Sequence, residues 1–258
     1  MKRLAIAGVL ALLAAPAAGA QDFQWKGRIA SGKWLEVKGV NGDVRAMAAT
    51  GAEAEVTAAK RGRRSDPESV EIKVLEHADG ITICAVYPTP ARARRENSCA
   101  PGEHWNSSTD NNDVKVDFTV RVPAGVKFRG ETVNGEMEAM GLRADAAVST
   151  VNGSVRVETT GFAEARTVNG SINATMGRAD WANQADFRTV NGGITLTFPS
   201  GLNAELRAET VNGDIESDWP VTVTGRFGPR RVTGTIGSGG RTLHLATVNG
   251  SIRLRKGV

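Results

Sequence analysis

Three carboxylates, Asp43, Glu136 and Asp214, stand two residues after an asparagine in copies of one tripeptide, Val-Asn-Gly. Acids repeated at a fixed offset along β-strands could line a face that, with Lys and Arg, cleaves acidic polysaccharide. The same offset elsewhere holds Ser154, Ser171, Gly193, Thr235 and Ser251. A solvated polar column accounts for that mixture better than an acid–base pair. No Ser-His-Asp or Cys-His grouping stands at readable spacing. His77, His104 and His244 are scattered, and two cysteines without paired histidines make a poor metal set. The Asn-Gly-Asp pieces lack both the calcium nonapeptide pattern and a 12-residue EF-hand loop. Asn152-Gly-Ser, Asn169-Gly-Ser and Asn249-Gly-Ser match glycosylation sequons, but a turn repeat generates them. Trp25, Trp34, Trp105, Trp181 and Trp219 could stack on sugar rings. They share no repeat column, so packing and end-capping are their expected roles. The reading is therefore a non-enzyme with no catalytic residue, no cofactor and no metal.

Cys84 and Cys99 are expected to form a structural disulfide across a 15-residue interval, which in the chain-entropy account stabilises by roughly 3 kcal/mol. It would tie down the first half of an irregular segment, 87–113, rich in proline and in polar residues.

The elements that must position these groups are repeated. Val-Asn-Gly occurs seven times, at Asn41, Asn134, Asn152, Asn169, Asn191, Asn212 and Asn249, and six copies are preceded by threonine. A degenerate eighth copy reads Val232-Thr233-Gly234. Counting Thr233 as a turn position, the steps from Asn134 are 18, 17, 22, 21, 21 and 16 residues. A period of this size marks a repeated architecture. Position +3 from the asparagine is always apolar (Val44, Met137, Val155, Ile172, Ile194, Ile215, Ile236, Ile252). Position −6 is apolar too (Leu35, Phe128, Ala146, Ala163, Ala185, Leu206, Phe227, Leu243), −4 mostly so, with polar residues between. Each unit reads as strand, Asn-Gly corner, strand. Glycine and asparagine suit a corner because both tolerate positive φ, and asparagine hydrogen-bonds nearby backbone. Threonine and valine favour extended chain.

Two architectures fit. Asn-Gly is the strongest signal for a type I′ hairpin. In a β-solenoid the same dipeptide turns each coil, and like residues stack about 4.8 Å apart. Only stacking explains why the same residues recur, so the expected fold is all-β: a single-stranded β-solenoid with Asn-Gly corners, capped or extended by N-terminal strands. Further strands are predicted at 34–37, 70–74, 81–86 and, most clearly, 114–122, where Val114, Val116, Phe118, Val120 and Val122 alternate with polar residues. The valine before each asparagine is at odds with strict alternation, which aims it outward. The expectation is that the corner bends and tucks it inside.

The string Thr-Val-Asn-Gly-(Ser/Asp/Glu)-(Ile/Val/Met) through 131–255, with Val-Lys-Gly-Val-Asn-Gly-Asp-Val at 37–44 and Val-Pro-Ala-Gly at 122–125, resembles a family of exported bacterial β-strand-repeat proteins. Its members carry the label adhesin or domain of unknown function. The resemblance covers about 33–258 and implies a single-stranded β-helix in or outside the bacterial envelope. It brings no catalytic residues.

Residues 1–20 read as a secretory signal: Lys2 and Arg3, an apolar run from Leu4 to Leu13, then Ala18-Gly19-Ala20. That run is too short to span a bilayer, and no cysteine follows the signal to carry a lipid anchor. The expected organisation is an N-terminal β region, 21–128, and a repeat region, 129–258. Without the signal, 30 basic residues (32 − 2) face 28 acidic ones, a net of +2. With aromatics at 5% and no basic stripe, nucleic acid is excluded as a partner. A periplasmic or secreted protein follows, adhesin-like, with an envelope glycan or protein as partner. Recognition would fall to Arg156, Glu158, Arg188, Arg207, Glu209 and Arg253, and the solenoid ends, including the basic strand 251–256, could self-associate. The alternatives are a polysaccharide-processing β-helix enzyme and an envelope-stress or assembly factor.

Overall fold

Alternation on both sides of each corner folds as short strands. The computed structural model describes residues 23–102, 105–181, 184–224 and 230–257; the signal at 1–20, His104 and Phe227 lie outside them. The first strands are β1 (Phe23–Gly27), β2 (Trp34–Lys38), β3 (Val44–Ala48), β4 (Ala54–Arg61), β5 (Glu71–His77), β6 (Gly80–Val86) and β7 (Lys115–Val122). Next come β8 (Lys127–Glu131), β9 (Met137–Leu142), β10 (Ala146–Ser149), β11 (Val155–Thr159), β12 (Ala163–Arg166), β13 (Ile172–Met176), β14 (Gln184–Arg188) and β15 (Ile194–Phe198). The chain continues through β16 (Ala204–Asn212), β17 (Ile215–Ser217), β18 (Thr222–Thr224), β19 (Arg230–Ile236), β20 (Thr242–Asn249) and β21 (Ile252–Lys256).

Two long sheets result. Strands before the corners join an 11-stranded pre-corner sheet, in the order β18-β19-β16-β20-β14-β12-β10-β8-β2-β6-β5. Those after them join a 10-stranded post-corner sheet, β1-β4-β7-β3-β9-β11-β13-β15-β21-β17. Each Val-Asn-Gly copy thus links one strand of each sheet into a rung, and neighbouring rungs pair in parallel with like columns in register, such as Ala146 with Ala163 and Val155 with Ile172. Columns −6, −4 and +3 fill one core between the sheets, which contains Leu35 and Val44 as well as Ile172 and Leu254. The 128/129 boundary falls inside β8.

The rungs do not stack in chain order. β2/β3 lies between β6/β7 and β8/β9, and the last rung, β20/β21, lies between β14/β15 and β16/β17. Two expectations are corrected. Thr233 is not a corner: it sits within β19, antiparallel to β16 and opposite Arg207. Strand 251–256 is not an edge, because β21 pairs with both β15 and β17. The edge strands are β1, β5, β17 and β18, and β17 and β18 have three residues each. The short β17/β18 end gives another chain little to pair with, whereas β1 and β5 at the other end have five and seven residues.

The corners are held by side-chain ladders. The Asn134 amide donates to Asn41 Oδ1 at 2.8 Å, and Asn152, Asn169, Asn191, Asn249 and Asn212 each donate in turn to the Oδ1 of the asparagine before it in the stack, Asn212 to Asn249 at 2.7 Å. The threonine two residues earlier is buried, and its hydroxyl donates to the glycine carbonyl of the adjacent rung, as Thr167 does to Gly153 at 2.9 Å. None of these asparagines has positive φ; Asn111 is the single non-glycine residue that does among those described. That removes the type I′ hairpin, which needs positive φ at both central residues. The glycine is required for another reason. A Cβ on Gly153 would land on the carbonyl oxygen of Gly135, because successive backbones approach closely at the corner. Gly153→Ala is expected to cost about 1–3 kcal/mol through overpacking. Urea denaturation checks this, and an unchanged midpoint would show that the rungs can part freely.

The valine column is corrected in part: Val40 is buried and Val133 packs against the core, but the others at the corners do neither. Val151, Val168, Val190, Val211 and Val248 are exposed by 38–44% and line the outside of the corner edge. The bend that would bury them does not occur, because the preceding threonine holds the inward place and bonds to the backbone there.

Cys84 and Cys99 are bonded, with their Cα atoms 5.6 Å apart. In the β6/β7 rung the segment 87–114 replaces the Asn-Gly corner. Buried Tyr87 donates to the Val114 carbonyl at 2.8 Å and so supports that junction.

Candidate functional site

Period two sends positions −7, −5 and −3 to the outer face of the pre-corner sheet. At its β6/β2/β8 end these positions bring together Trp34, Glu36 and Lys38 of β2 with Lys127, Arg129 and Glu131 of β8, in direct register. The disulfide-tied segment lies over them, and this cover buries charge: the Lys38 side chain is fully enclosed and Glu36 is 3% exposed. Lys38 Nζ donates to the Gly102 carbonyl and lies 3.7 Å from Glu36 and 3.8 Å from Glu131. Glu36 accepts from Thr82 Oγ1 at 2.9 Å, from Gly102 N at 3.0 Å and from Arg129 at 2.9 Å. Trp105 Nε1 donates to Glu131 Oε2 at 2.8 Å, and the Arg129 guanidinium sits 4.7 Å from the centre of the Trp34 ring.

The two carboxyls are driven apart. Burial pushes Glu36 up, but the Gly102 and Thr82 hydrogen bonds and the Lys38 and Arg129 charges outweigh it and leave a lowered pKa. Burial pushes Glu131 up, and Lys38, Trp105 and Arg129 do not offset it. The Lys38 ammonium is pushed down by burial in spite of Glu131 and Glu36.

Beyond Glu131 the face opens into a trough. β10 presents only Ala147 and Ser149 outward, between Arg129 and Glu131 of β8 and Glu164 and Arg166 of β12. The cavity they enclose holds about 90 Å³. Toward the start of β10 it adjoins a second hollow of about 270 Å³, lined by Lys127, Arg143, Asp145 and Arg178. Further along, Asp186 pairs with Arg188 at 2.8 Å, with His244 at 2.9 Å and with Arg166 at 3.5 Å.

The residues expected to carry recognition lie on both sheets. Arg188, Arg207 and Glu209 lie on the pre-corner sheet with this site, whereas Arg156, Glu158 and Arg253 lie on the opposite one. Asp43, Glu136 and Asp214 stay along the corner edge. Asp43 Oδ1 accepts from the backbone of Glu136 at 2.9 Å, as Ser154, Ser171 and Ser251 accept from the next rung, and Asp214 pairs with Arg230. The asparagines also remain in the corner ladder, away from the trough. His77 bonds to Thr82, and the described residues hold no cluster of three or more His, Cys, Asp or Glu that could bind a metal. Trp181 and Trp219 are buried. Trp34 and Trp105, in no shared repeat column, both lie on this face because the loop folds back over β2. Only the disulfide spacing hinted at that return.

The fold defines the protein as an all-β repeat protein of two long sheets. Residues 103–255 match the family described as Toastrack DUF4097, and the chain belongs to it. No curated protein matches the chain. Two solved structures are similar to it. One, a proposed cell adhesion protein from Clostridium sporogenes, is 12% identical, with 92% of this chain and 100% of that one covered and a TM-score of 0.42. The other, a proposed adhesin from Bacteroides fragilis, is 11% identical, with 92% and 98% covered and a TM-score of 0.33.

Proposed function

We propose that the chain is a non-enzymatic β-solenoid, its rungs wound as single strands, and that it serves as an adhesin-like binding protein of the bacterial envelope, exported to the periplasm or beyond. The observation that carries this reading is the outer face of the pre-corner sheet. It is a broad, rigid array of charged columns with two tryptophans at one end and an open trough beside them. No helix among the described residues is long and apolar enough to cross a membrane.

A polysaccharide-processing enzyme is the second reading, favoured by one observation: Glu131, with its raised pKa, borders the trough as a general acid would. Its natural partner, Glu36, is sealed beneath Gly102 and Arg129, away from any substrate. Display therefore fits the arrangement better than turnover. Binding of the oxidised protein to whole cells and to arrayed envelope glycans tests both. Saturable binding without product release is expected. Absence of saturable binding to any surface would sink the adhesin-like reading, and release of shortened glycan would favour the enzyme.

A further inference from the structure

We infer that the trough along β10 is the ligand site, and that its ligand is a single extended strand of anionic polysaccharide. This rests on the binding-protein reading above. β10 is flanked by β8 and β12, one strand spacing away on each side, so the trough is roughly 10 Å wide. That width suits one extended chain. The four residues of β10 advance along it by three steps, roughly 10 Å, and the hollow at residues 143–145, where the chain bends between the sheets, extends it past the start of the strand.

Its two halves differ in chemistry. Above Ala147 and Ser149 the walls place a cation opposite an anion in both columns: Arg129 faces Glu164, and Glu131 faces Arg166. Donor and acceptor beside a serine hydroxyl match sugar hydroxyls, which both donate and accept. The second half has more cation than anion, with Lys127, Arg143 and Arg178 set around Asp145 and with Asp180 beside Arg178. Arg178 lies 2.7 Å from Asp145 and 3.4 Å from Asp180, and Lys127 lies 3.8 Å from Asp145, while Arg143 makes no ion pair among the described residues. A chain that is hydroxyl-rich at one point and carries carboxylate or phosphate at the next satisfies both halves. An acidic peptide also suits the second half, but its backbone donors and acceptors sit on separate atoms, whereas each sugar hydroxyl is both.

The walls are preorganised. Arg129 is held by Glu36 and by the Trp34 ring, Glu131 by Trp105, and Arg166 by Asp186. Little side-chain freedom is left to lose when a ligand binds.

The test measures binding of the full oxidised chain to polygalacturonate, phosphomannan, dextran and polyglutamate. The variants are Ala147→Trp, which fills the trough, Arg143→Glu, which reverses its exposed cation, and Asn173→Trp on the opposite sheet as a control. Binding to one or both anionic glycans is expected, with the responding polymer identifying the anion. Ala147→Trp and Arg143→Glu should each weaken it by about tenfold or more, equivalent to about 1.4 kcal/mol, and Asn173→Trp should not. Added salt should weaken it as well. Should Ala147→Trp fail to fold, Arg143→Glu alone decides. Anionic-glycan binding that neither variant changes overturns the site and leaves the binding-protein reading standing. Equal binding of dextran or polyglutamate overturns the ligand class. Loss of all binding to these polymers and to whole cells overturns both.

Discussion

Truncation after Gly240, which deletes β20 and β21, is expected to abolish cooperative folding of the C-terminal half rather than trim its end. Those two strands are last in the chain but internal in both sheets. β20 pairs with β14 and β16, and β21 with β15 and β17. Leu243, Leu245, Ile252 and Leu254 are fully buried in the core. At about 1.5–3 kcal/mol for each side chain, their loss removes roughly 6–12 kcal/mol, comparable to the about 5–15 kcal/mol that stabilises a whole domain. Two local reporters exist: Trp181 donates to the Thr242 carbonyl, and Lys256 lies over the Trp219 ring. Their fluorescence in the truncated protein should resemble that of the unfolded chain. A truncated protein with near-native emission and an unchanged urea midpoint would mean that the rungs stack in chain order after all.

Lys38→Ala is expected to destabilise the protein by about 3–5 kcal/mol at neutral pH, the range for removing one partner of a buried ion pair. The substitution leaves Glu36 with Arg129 but strips Glu131 of its cation and the Gly102 carbonyl of its donor. Glu131 already has a raised pKa, and without Lys38 it should rise further. A carboxyl with a raised folded pKa takes up a proton in the folded state before the unfolded state does. Stability is therefore regained as pH falls through that folded pKa toward the unfolded value of about 4.3. The deficit of Lys38→Ala should accordingly shrink on mild acidification, and Lys38→Ala with Glu131→Gln should be more stable at neutral pH than the two single losses summed. Equal stability of Lys38→Ala and the unsubstituted protein across this range would show that the disulfide alone holds the segment over β2.

Much of this architecture is legible in the residue columns. The apolar positions −6 and +3 can be assigned to the core because their alternation is local and each copy repeats the same test. The corner was placed correctly, yet its chemistry differs from what Asn-Gly suggests. The asparagines serve their neighbours by side-chain hydrogen bonds, and Gly153 is needed for the approach of Gly135, a residue 18 positions away. Propensity describes what a residue does to its own backbone. It is silent about a neighbour delivered by the next rung, and so it did not show that the threonine hydroxyls hold the inward place while five of the valines follow plain alternation outward.

The charged site was legible only in part. The Cys84–Cys99 spacing marks a tied segment, but Glu36, Lys38, Glu131 and Trp105 share no motif, and each reads as an ordinary surface residue. Their burial depends on a loop returning over a strand 64 to 66 residues earlier in the chain. The trough depends on two small residues, Ala147 and Ser149, being flanked by long ones on strands in register.

The sequence by itself determined that this protein is all-β, where its seven Asn-Gly corners fall, which columns fill its core and which cysteines pair, because each of these rests on period-two alternation, turn residues or residue counts within one stretch of chain. Only the tertiary structure decided the order of the rungs, the exposure of the valines and the assembly of the charged face. Those depend on which strands become neighbours. Like rungs have nearly the same columns, so pairing in chain order and pairing out of order satisfy the same pattern, and the choice falls to packing at the two ends of the stack.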